Sequence, residues 1–239
     1  MKLKNKIYLF TVLVLILPFN FFSKTNKTEK YLIGADLSHH QGKIKWSKGD
    51  KELFDFIYIK STEGKSFKDS EFKNNWIGTK KVGILRGAYH VFRPEISGKV
   101  QSKNFIEIVP KEKNSLPPAV DLVSLYEVDI KDKNKVQKEI KILLNTLENH
   151  YGKKPIIYVS RDMFNKFLKG NFNNVIWTWN YKSKKEPKNF NKNQTIIWQH
   201  TIAVGKKTKY KKFTKNFGLD LDFFIKDKSK FESLMLVKF

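Results

Sequence analysis

Short apolar runs, separated by polar and helical segments, make up the chain from residue 31 onward. Residues 56–59 (Phe-Ile-Tyr-Ile) are continuously apolar, for example. Such uninterrupted runs are typical of strands that are covered on both faces in a parallel sheet. The pattern predicts eight strands, at residues 31–37, 54–60, 83–92, 118–123, 155–159, 175–179, 195–200 and 219–224.

Helical periodicity lies between several of these strands. In residues 133–151 the apolar side chains recur on one face, and Gly152 is expected to end that helix. Ser160 is expected to cap a second helix. Two more helices are predicted, at residues 69–81 and 98–108. Eight strands with interleaved helices indicate an α/β fold, an irregular (β/α) TIM-like barrel whose later part contains little helix.

The first thirty residues have the pattern of an export segment. Three lysines within the first six residues precede an apolar run at residues 7–19. A helix that spans a membrane needs about 20 apolar residues, and Phe21 and Phe22 extend the run past Asn20. We therefore expect residues 1–29 to be a signal peptide or a membrane anchor, and residues 30–239 to be one barrel domain. The protein is expected to be exported to the periplasm, the cell envelope or the exterior, with membrane contact only through this segment.

The charge of the chain points to an acidic partner. Its 239 residues include 47 Lys and Arg against 23 Asp and Glu, a net charge of +24. Such a surface favours nucleic acid, anionic lipid or an acidic cell-wall polymer. No nucleic-acid-binding motif accompanies the lysines, so a nucleic-acid partner is not expected. The sequence has no cysteine, which excludes disulfides, thiolate metal sites and cysteine nucleophiles.

Polar and aromatic residues stand at the ends of the predicted strands, where a (β/α) barrel places its active site. These residues are Asp36, Glu63, Tyr89, His90, Asp121, Tyr158, Trp177, Trp198, Gln199 and Asp222. Carboxylates together with exposed aromatic rings are typical of a sugar-binding cleft, because rings stack on pyranose faces and acids act on the glycosidic oxygen.

A metal site is not expected. His39 and His40 are adjacent, so in an extended segment their side chains point to opposite faces and seldom share one ion. The sequence has no HExxH motif, no glycine-rich phosphate loop and no Gly-x-Ser-x-Gly elbow. We expect neither a metal nor a cofactor.

The same residues carry a family resemblance. Residues 36–42 (DLSHHQG), with Ile44 and Trp46, resemble the opening motif of the glycoside hydrolase family 25 lysozymes. Residues 59–64, 83–92 and 116–122 resemble the motifs of the second, third and fourth strands of that family. Residues 155–158, 177–181, 198–199 and 219–223 complete the series. The resemblance covers roughly residues 31 to 226.

This resemblance implies a muramidase, an enzyme that hydrolyses the β-1,4 bond between N-acetylmuramic acid and N-acetylglucosamine in peptidoglycan. Its partners would be glycan strands, and anionic wall polymers that bind the basic surface. The family uses an Asp-x-Glu on the fourth strand, where the Glu is the general acid and the Asp orients the acetamido group or stabilises positive charge. The resemblance therefore assigns Asp121 and the opening-motif Asp36 to catalysis, and the other residues at the strand ends to substrate binding.

Val123 stands where the family has its general acid. General acid catalysis is typically worth about 10²–10⁴-fold, and a valine supplies no proton. Three alternatives follow. The barrel binds glycan without hydrolysis; or another carboxylate has taken over, with Glu127 and Glu63 as candidates; or Asp36 and Asp121 act without a third acid.

Overall fold

The structure, a computed structural model, describes residues 31–180, 186–187, 190, 196–203, 208–214, 218–225 and 228–234. The predicted signal peptide or anchor at residues 1–29 lies outside these ranges. Within them, the structure contains no helix that is both long and apolar enough to cross a membrane.

The predicted barrel is confirmed. The strands are β1 Leu32–Leu37, β2 Phe56–Glu63, β3 Phe67–Lys68, β4 Leu85–Val91, β5 Ala119–Asp121, β6 Ile156–Tyr158, β7 Ile176–Trp179, β8 Ile196–Ala203 and β9 Leu219–Phe224. Eight of them form a closed ring in the order β1-β9-β8-β7-β6-β5-β4-β2, and β1 also pairs with β2. The two-residue β3, which the sequence pattern did not predict, pairs with β2 outside this ring.

The last barrel strand, β9, runs against the others. All the other neighbouring strands of the ring are parallel, but β9 pairs antiparallel with both β8 and β1. Among the described residues, no helix connects β8 to β9. A strand that returns without a helical crossover pairs antiparallel with the strand before it. The start of β9 therefore lies beside the end of β1, and Asp220 pairs with Asp36.

Most of the helices surround the ring and cover its outer face, while Phe231 of the last helix packs against Phe56 and Phe224 inside the ring. They are α1 Phe72–Val82, α2 Gly98–Ile108, α3 Lys133–Tyr151, α4 Arg161–Met163, which continues as a π-helical turn at Phe164–Leu168, and α5 Lys228–Ser233. Helix α3 ends at Gly152 in a left-handed conformation, and the Ser160 hydroxyl accepts a hydrogen bond from the Met163 amide, as predicted. The helix predicted at residues 69–81 begins three residues later than expected.

The core has two layers. One fills the space between the strands and the helices, and the other fills the inside of the ring with side chains that include Phe56, Tyr58 and Phe224. Gly87 on β4 allows this inner packing, because a Cβ at that position would overlap the ring of Tyr58.

The fourth predicted strand is shorter than the sequence suggested. It was expected to reach Val123, but β5 ends at Asp121 and a 3₁₀ helix occupies Val123–Glu127. We call Val123–Glu127 the rim turn. Asp121 and Val123 are therefore not alternate residues of one strand, and their side chains do not follow the alternation of a strand.

Candidate active site

A cavity of about 190 Å³ opens at the carboxyl ends of the parallel strands. Its walls are polar and aromatic. The residues that line it are Asp36, Tyr89, Asp121, Tyr158, Trp177, Gln199 and Asp220. Six of these seven were predicted from the sequence, and the strands to which they belong run around most of the ring.

Asp36 is fixed by a short hydrogen-bonded chain. The Tyr158 hydroxyl donates to Oε1 of Gln199 at 2.7 Å, and Nε2 of Gln199 donates to Oδ2 of Asp36 at 2.7 Å. Burial, together with the charges of Asp222 and Asp220, raises the pKa of Asp36 well above its usual value, although the Gln199 bond lowers it. The Asp36 carboxyl therefore keeps one orientation and retains its proton in conditions where an exposed aspartate is ionised.

Asp222 lies beneath the cavity. It is fully buried, and Nε1 of Trp177 donates to its Oδ1 at 2.8 Å. Its second oxygen has no hydrogen-bond partner within the described part of the chain. Burial raises the pKa of Asp222 well above its usual value. Asp222, which was predicted to bind substrate, is not among the residues that line the cavity; it accepts a hydrogen bond from the indole of Trp177, which does line it.

Asp121 occupies the other side of the cavity. Its Oδ1 accepts a hydrogen bond from the Val123 amide at 2.8 Å. Burial raises the pKa of Asp121 to about 7, although the Val123 amide and the charge of Lys60 lower it. Near neutral pH this carboxyl is therefore distributed between its two protonation states, which suits a group that gives and recovers a proton.

Glu63 forms ion pairs beside the cavity and does not line it. Its two oxygens accept hydrogen bonds from Nζ of Lys60 at 2.7 Å and from Nε of Arg93 at 2.9 Å. Burial opposes ionisation of Glu63, but these two cations outweigh it and lower the pKa of the carboxyl. Glu63 thus stays ionised at neutral pH, which does not fit the substitute acid that the sequence allowed.

His90 and Trp198 point away from the cavity, contrary to expectation. Successive side chains of a strand alternate between its faces, so Tyr89 and His90 cannot both face inward, and neither can Trp198 and Gln199. His90 is fully buried, with ring nitrogens 2.8 Å from the Thr62 hydroxyl oxygen and 3.0 Å from Oε1 of Gln101. Burial lowers its pKa to about 4. Trp198 is also buried, and its ring packs edge-on against His200.

Glu127 and Asp220 complete the comparison with the predicted site. Glu127 is exposed at the end of the rim turn and does not line the cavity. Asp220, which was not among the predicted site residues, does line it. The reversed direction of β9 brings its first residues to the cavity and buries Asp222 deeper. The signal for this reversal was the missing helix before the last strand.

The carboxylates of the cavity do not form a recognisable metal site. Among the described residues, no group of three or more His, Cys, Asp or Glu side chains has an arrangement that could hold a metal ion. Two carboxyl groups with raised pKa values, on opposite sides of an aromatic-walled cavity, can instead supply protons to a bound substrate.

The sequence and the fold are similar to those of known glycoside hydrolases. The model of the family described as glycosyl hydrolases family 25 matches residues 35–207. YegX of Escherichia coli K12 is 31% identical over 173 residues, which are 70% of this chain and 62% of YegX. Lysozyme M1 of Streptomyces globisporus is 45% identical over 73 residues, 30% of this chain and 25% of that protein. The solved structure of a family 25 glycosyl hydrolase from Bacillus anthracis superposes with a TM-score of 0.74 at 30% identity and covers 88% of this chain and 97% of the other.

Proposed function

The chain belongs to the glycosyl hydrolases of family 25, and from that premise we propose that it is a muramidase, which cleaves the β-1,4 bond between N-acetylmuramic acid and N-acetylglucosamine in peptidoglycan. The similarity to lysozyme M1 supports this substrate class. The match covers 62% of YegX, so the activity proposed here concerns the barrel domain.

The observation that carries the proposal is the state of Asp121. It is a carboxyl in the cavity, and its pKa of about 7 allows it to donate a proton near neutral pH. In the proposed reaction Asp121 protonates the glycosidic oxygen as the bond to the leaving sugar breaks, and a water molecule then adds to the anomeric carbon and returns a proton to Asp121. Asp121 thereby takes the role that a glutamate at position 123 has in the family pattern.

Asp36 is the second catalytic carboxyl of the proposal. The Tyr158–Gln199 chain holds it in one orientation on the opposite side of the cavity. From there it contacts the sugar whose ring carries positive charge in the transition state. Tyr89 and Trp177 supply the aromatic surfaces against which the sugar packs.

A second candidate function is glycan binding without hydrolysis. The observation that favours it is Val123, which is 42% exposed at the position of the family's acid. A barrel of this kind would retain the cavity and its aromatic walls, and would lack only the proton donor.

Zymography on purified peptidoglycan separates the two functions. A muramidase gives a clearing band, and the soluble products carry new reducing ends. A binding protein sediments with the same peptidoglycan and leaves it intact. We expect clearing; sedimentation without any release of reducing ends would contradict the muramidase and support the binding function.

The location of peptidoglycan in the cell suggests roles for the N-terminal segment and for the positive charge of the chain. Peptidoglycan lies outside the cytoplasmic membrane, so we propose that residues 1–29 direct export, as a signal peptide or as an anchor, and that residues 30–239 form the catalytic domain. The net charge of +24 is proposed to hold the protein near anionic wall polymers.

A further inference from the structure

Four aromatic rings form a continuous row from the cavity to the protein surface. Trp177 and Tyr158, both in the cavity wall, have ring centroids 5.0 Å apart. The Tyr158 ring lies 5.2 Å from that of Trp179, and the Trp179 ring lies 6.3 Å from that of Tyr126. The row therefore leads out of the cavity and ends on the rim turn.

The rim turn presents its apolar side chains outward. A 3₁₀ helix has three residues per turn, so the side chains at positions i and i+3 lie on the same face. Val123 and Tyr126 have this spacing, and they are 42% and 53% exposed. The intervening Ser124 and Leu125 are buried, and the Ser124 hydroxyl donates to the carbonyl oxygen of Phe92. The turn is thus anchored to the barrel, and Val123 and Tyr126 form one exposed face of it, while the exposed Glu127 lies at its end.

We propose that Val123, Tyr126 and Trp179, here called the aromatic platform, bind the pyranose face of one sugar of the glycan strand, beyond the disaccharide that occupies the cavity. This inference rests on the proposed function, because it takes the occupant of the cavity to be a β-1,4-linked glycan. It gives a role to Val123, since an apolar side chain beside Tyr126 extends the surface on which a sugar ring lies.

A glycan fits this surface better than a protein partner does. The platform is continuous with the cavity through Tyr158, so a chain that leaves the cavity in this direction passes over it. Aromatic rings offer flat faces to the C–H groups of a pyranose, while the hydroxyls of the sugar remain in water. By contrast, the similarly exposed Ile77 lies on α1 and Ile202 on β8, and scattered apolar residues of this kind are ordinary on protein surfaces.

The test compares short and long glycans. Calorimetry measures the affinity of wild type, Tyr126→Ala, Tyr126→Phe and Ile77→Ala for β-1,4-linked oligomers of two and of five N-acetylglucosamine units. We expect Tyr126→Ala to weaken binding of the pentamer about tenfold, because one ring–sugar contact is lost, and to leave the dimer nearly unchanged. Tyr126→Phe should bind both oligomers as wild type does, because the ring remains. Ile77→Ala matches Tyr126 in exposure and should have no effect.

The outcomes separate this inference from the proposed function. If wild type binds the pentamer and Tyr126→Ala binds it equally well, the platform is overturned and the muramidase proposal stands. If Tyr126→Ala weakens dimer and pentamer to the same extent, Tyr126 supports the cavity and does not bind a further sugar, which also overturns the platform. If wild type binds neither oligomer nor purified peptidoglycan, both proposals fall.

Discussion

The two sides of the cavity are built in different ways. On one side, which we call the network wall, Tyr158, Gln199 and Asp36 form one hydrogen-bonded chain, and Trp177 donates separately to the buried Asp222. On the other side, the rim wall, Asp121 accepts a hydrogen bond from the Val123 amide, and the rim turn exposes the apolar side chain of Val123 and the ring of Tyr126.

This difference indicates that the network wall orients polar groups, whereas the rim wall carries the carboxyl that can transfer a proton. The network wall orients groups that must keep one geometry, since each of its polar atoms depends on the next. The rim wall leaves Asp121 with few partners, and burial then dominates its pKa. The structure therefore combines a hydrogen-bonded side with a carboxyl that can exchange a proton near neutral pH.

The largest change is expected from placing a second carboxyl on the rim wall. Val123→Glu introduces the acid of the family pattern beside Asp121, at the start of the rim turn. We expect the rate of release of reducing ends from peptidoglycan to rise about 10²-fold, the lower end of the range for general acid catalysis, because Asp121 already supplies part of that function. Val123→Gln has nearly the same size without the proton and is the matched control.

The outcome of this substitution distinguishes the sequence alternatives. If wild type has no activity and Val123→Glu gains it, the natural barrel binds without hydrolysis. If wild type is active and Glu127→Gln abolishes its activity, the exposed Glu127 is the acid and our assignment of Asp121 is wrong. We expect Glu127→Gln to behave as wild type, because Glu127 does not line the cavity.

Breaking the network wall should have the next largest effect. Gln199→Leu removes the bonds to both Asp36 and Tyr158, and leaves two part-buried polar groups without that partner. We expect kcat/KM on peptidoglycan to fall about tenfold, the size expected for the loss of one or two hydrogen bonds between neutral groups. Tyr158→Phe removes only one of the two bonds and should have a smaller effect. Equal effects of the two variants would show that the Gln199–Asp36 bond depends on Tyr158, so that the chain acts as a unit, and would contradict this graded expectation.

The buried Asp222 should also lower the stability of the folded protein at alkaline pH. Burial raises the pKa of Asp222 in the folded protein, whereas in the unfolded chain an aspartate loses its proton near pH 3.9. The stability that this group contributes is therefore complete below about pH 3.9 and is lost as pH rises through the folded pKa. Asp222→Asn keeps an acceptor for Trp177 without the charge, so we expect its melting temperature to exceed that of wild type at pH 8.

Thermal melting at pH 4 and pH 8 measures this effect. The difference should be a few degrees at pH 8, since 1 kcal/mol shifts the melting temperature of a domain of this size by about 2–4 °C. It should nearly vanish at pH 4, where both proteins are neutral at this position. A difference that does not change with pH would mean that packing, and not ionisation, determines the cost of Asp222.

The smallest effect is expected from salt, which changes attachment to the cell wall and does not involve either side of the cavity. The net charge of +24 should strengthen attachment to walls that carry anionic polymers. Salt at 0.15 M screens exposed charges beyond about 8 Å, so sedimentation with such walls should decrease a few-fold between low and physiological salt. With cell-wall material stripped of these polymers, the dependence of sedimentation on salt should be weak. Equal salt dependence with intact and with stripped cell-wall material would show that the charge excess has no role in attachment.

The sequence predicted the barrel better than it predicted the site. Short apolar runs indicated all eight barrel strands, and several of these runs are continuous, as is typical of parallel strands that are buried on both faces. The same runs could not show which side chains face inward at strand ends, so His90 was grouped with Tyr89 and Trp198 with Gln199. Asp220 was not selected as a site residue because its position at the cavity depends on the reversed direction of β9, for which the scarcity of predicted helix before the last strand is the sequence signal.

The pKa values were also beyond the reach of sequence alone. Glu63 and Asp121 both follow strands and were both candidates for acid chemistry. They differ because Lys60 and Arg93 hold Glu63 ionised, whereas burial outweighs the nearby cations at Asp121. Contacts between residues that are distant in sequence determine this difference in pKa; Glu63 and Arg93, for example, are 30 positions apart.

The rate of release of reducing ends from purified peptidoglycan by wild type and by Asp121→Asn, between pH 5 and pH 9, tests the central claim most directly. Asp121 must be protonated to act as the acid, so we predict that wild-type turnover falls as pH rises through about 7, the pKa of this carboxyl. Asp121→Asn should fold normally and lose about 10²-fold or more of the activity at every pH. Wild-type turnover by Asp121→Asn would contradict the assignment of Asp121 as the proton donor.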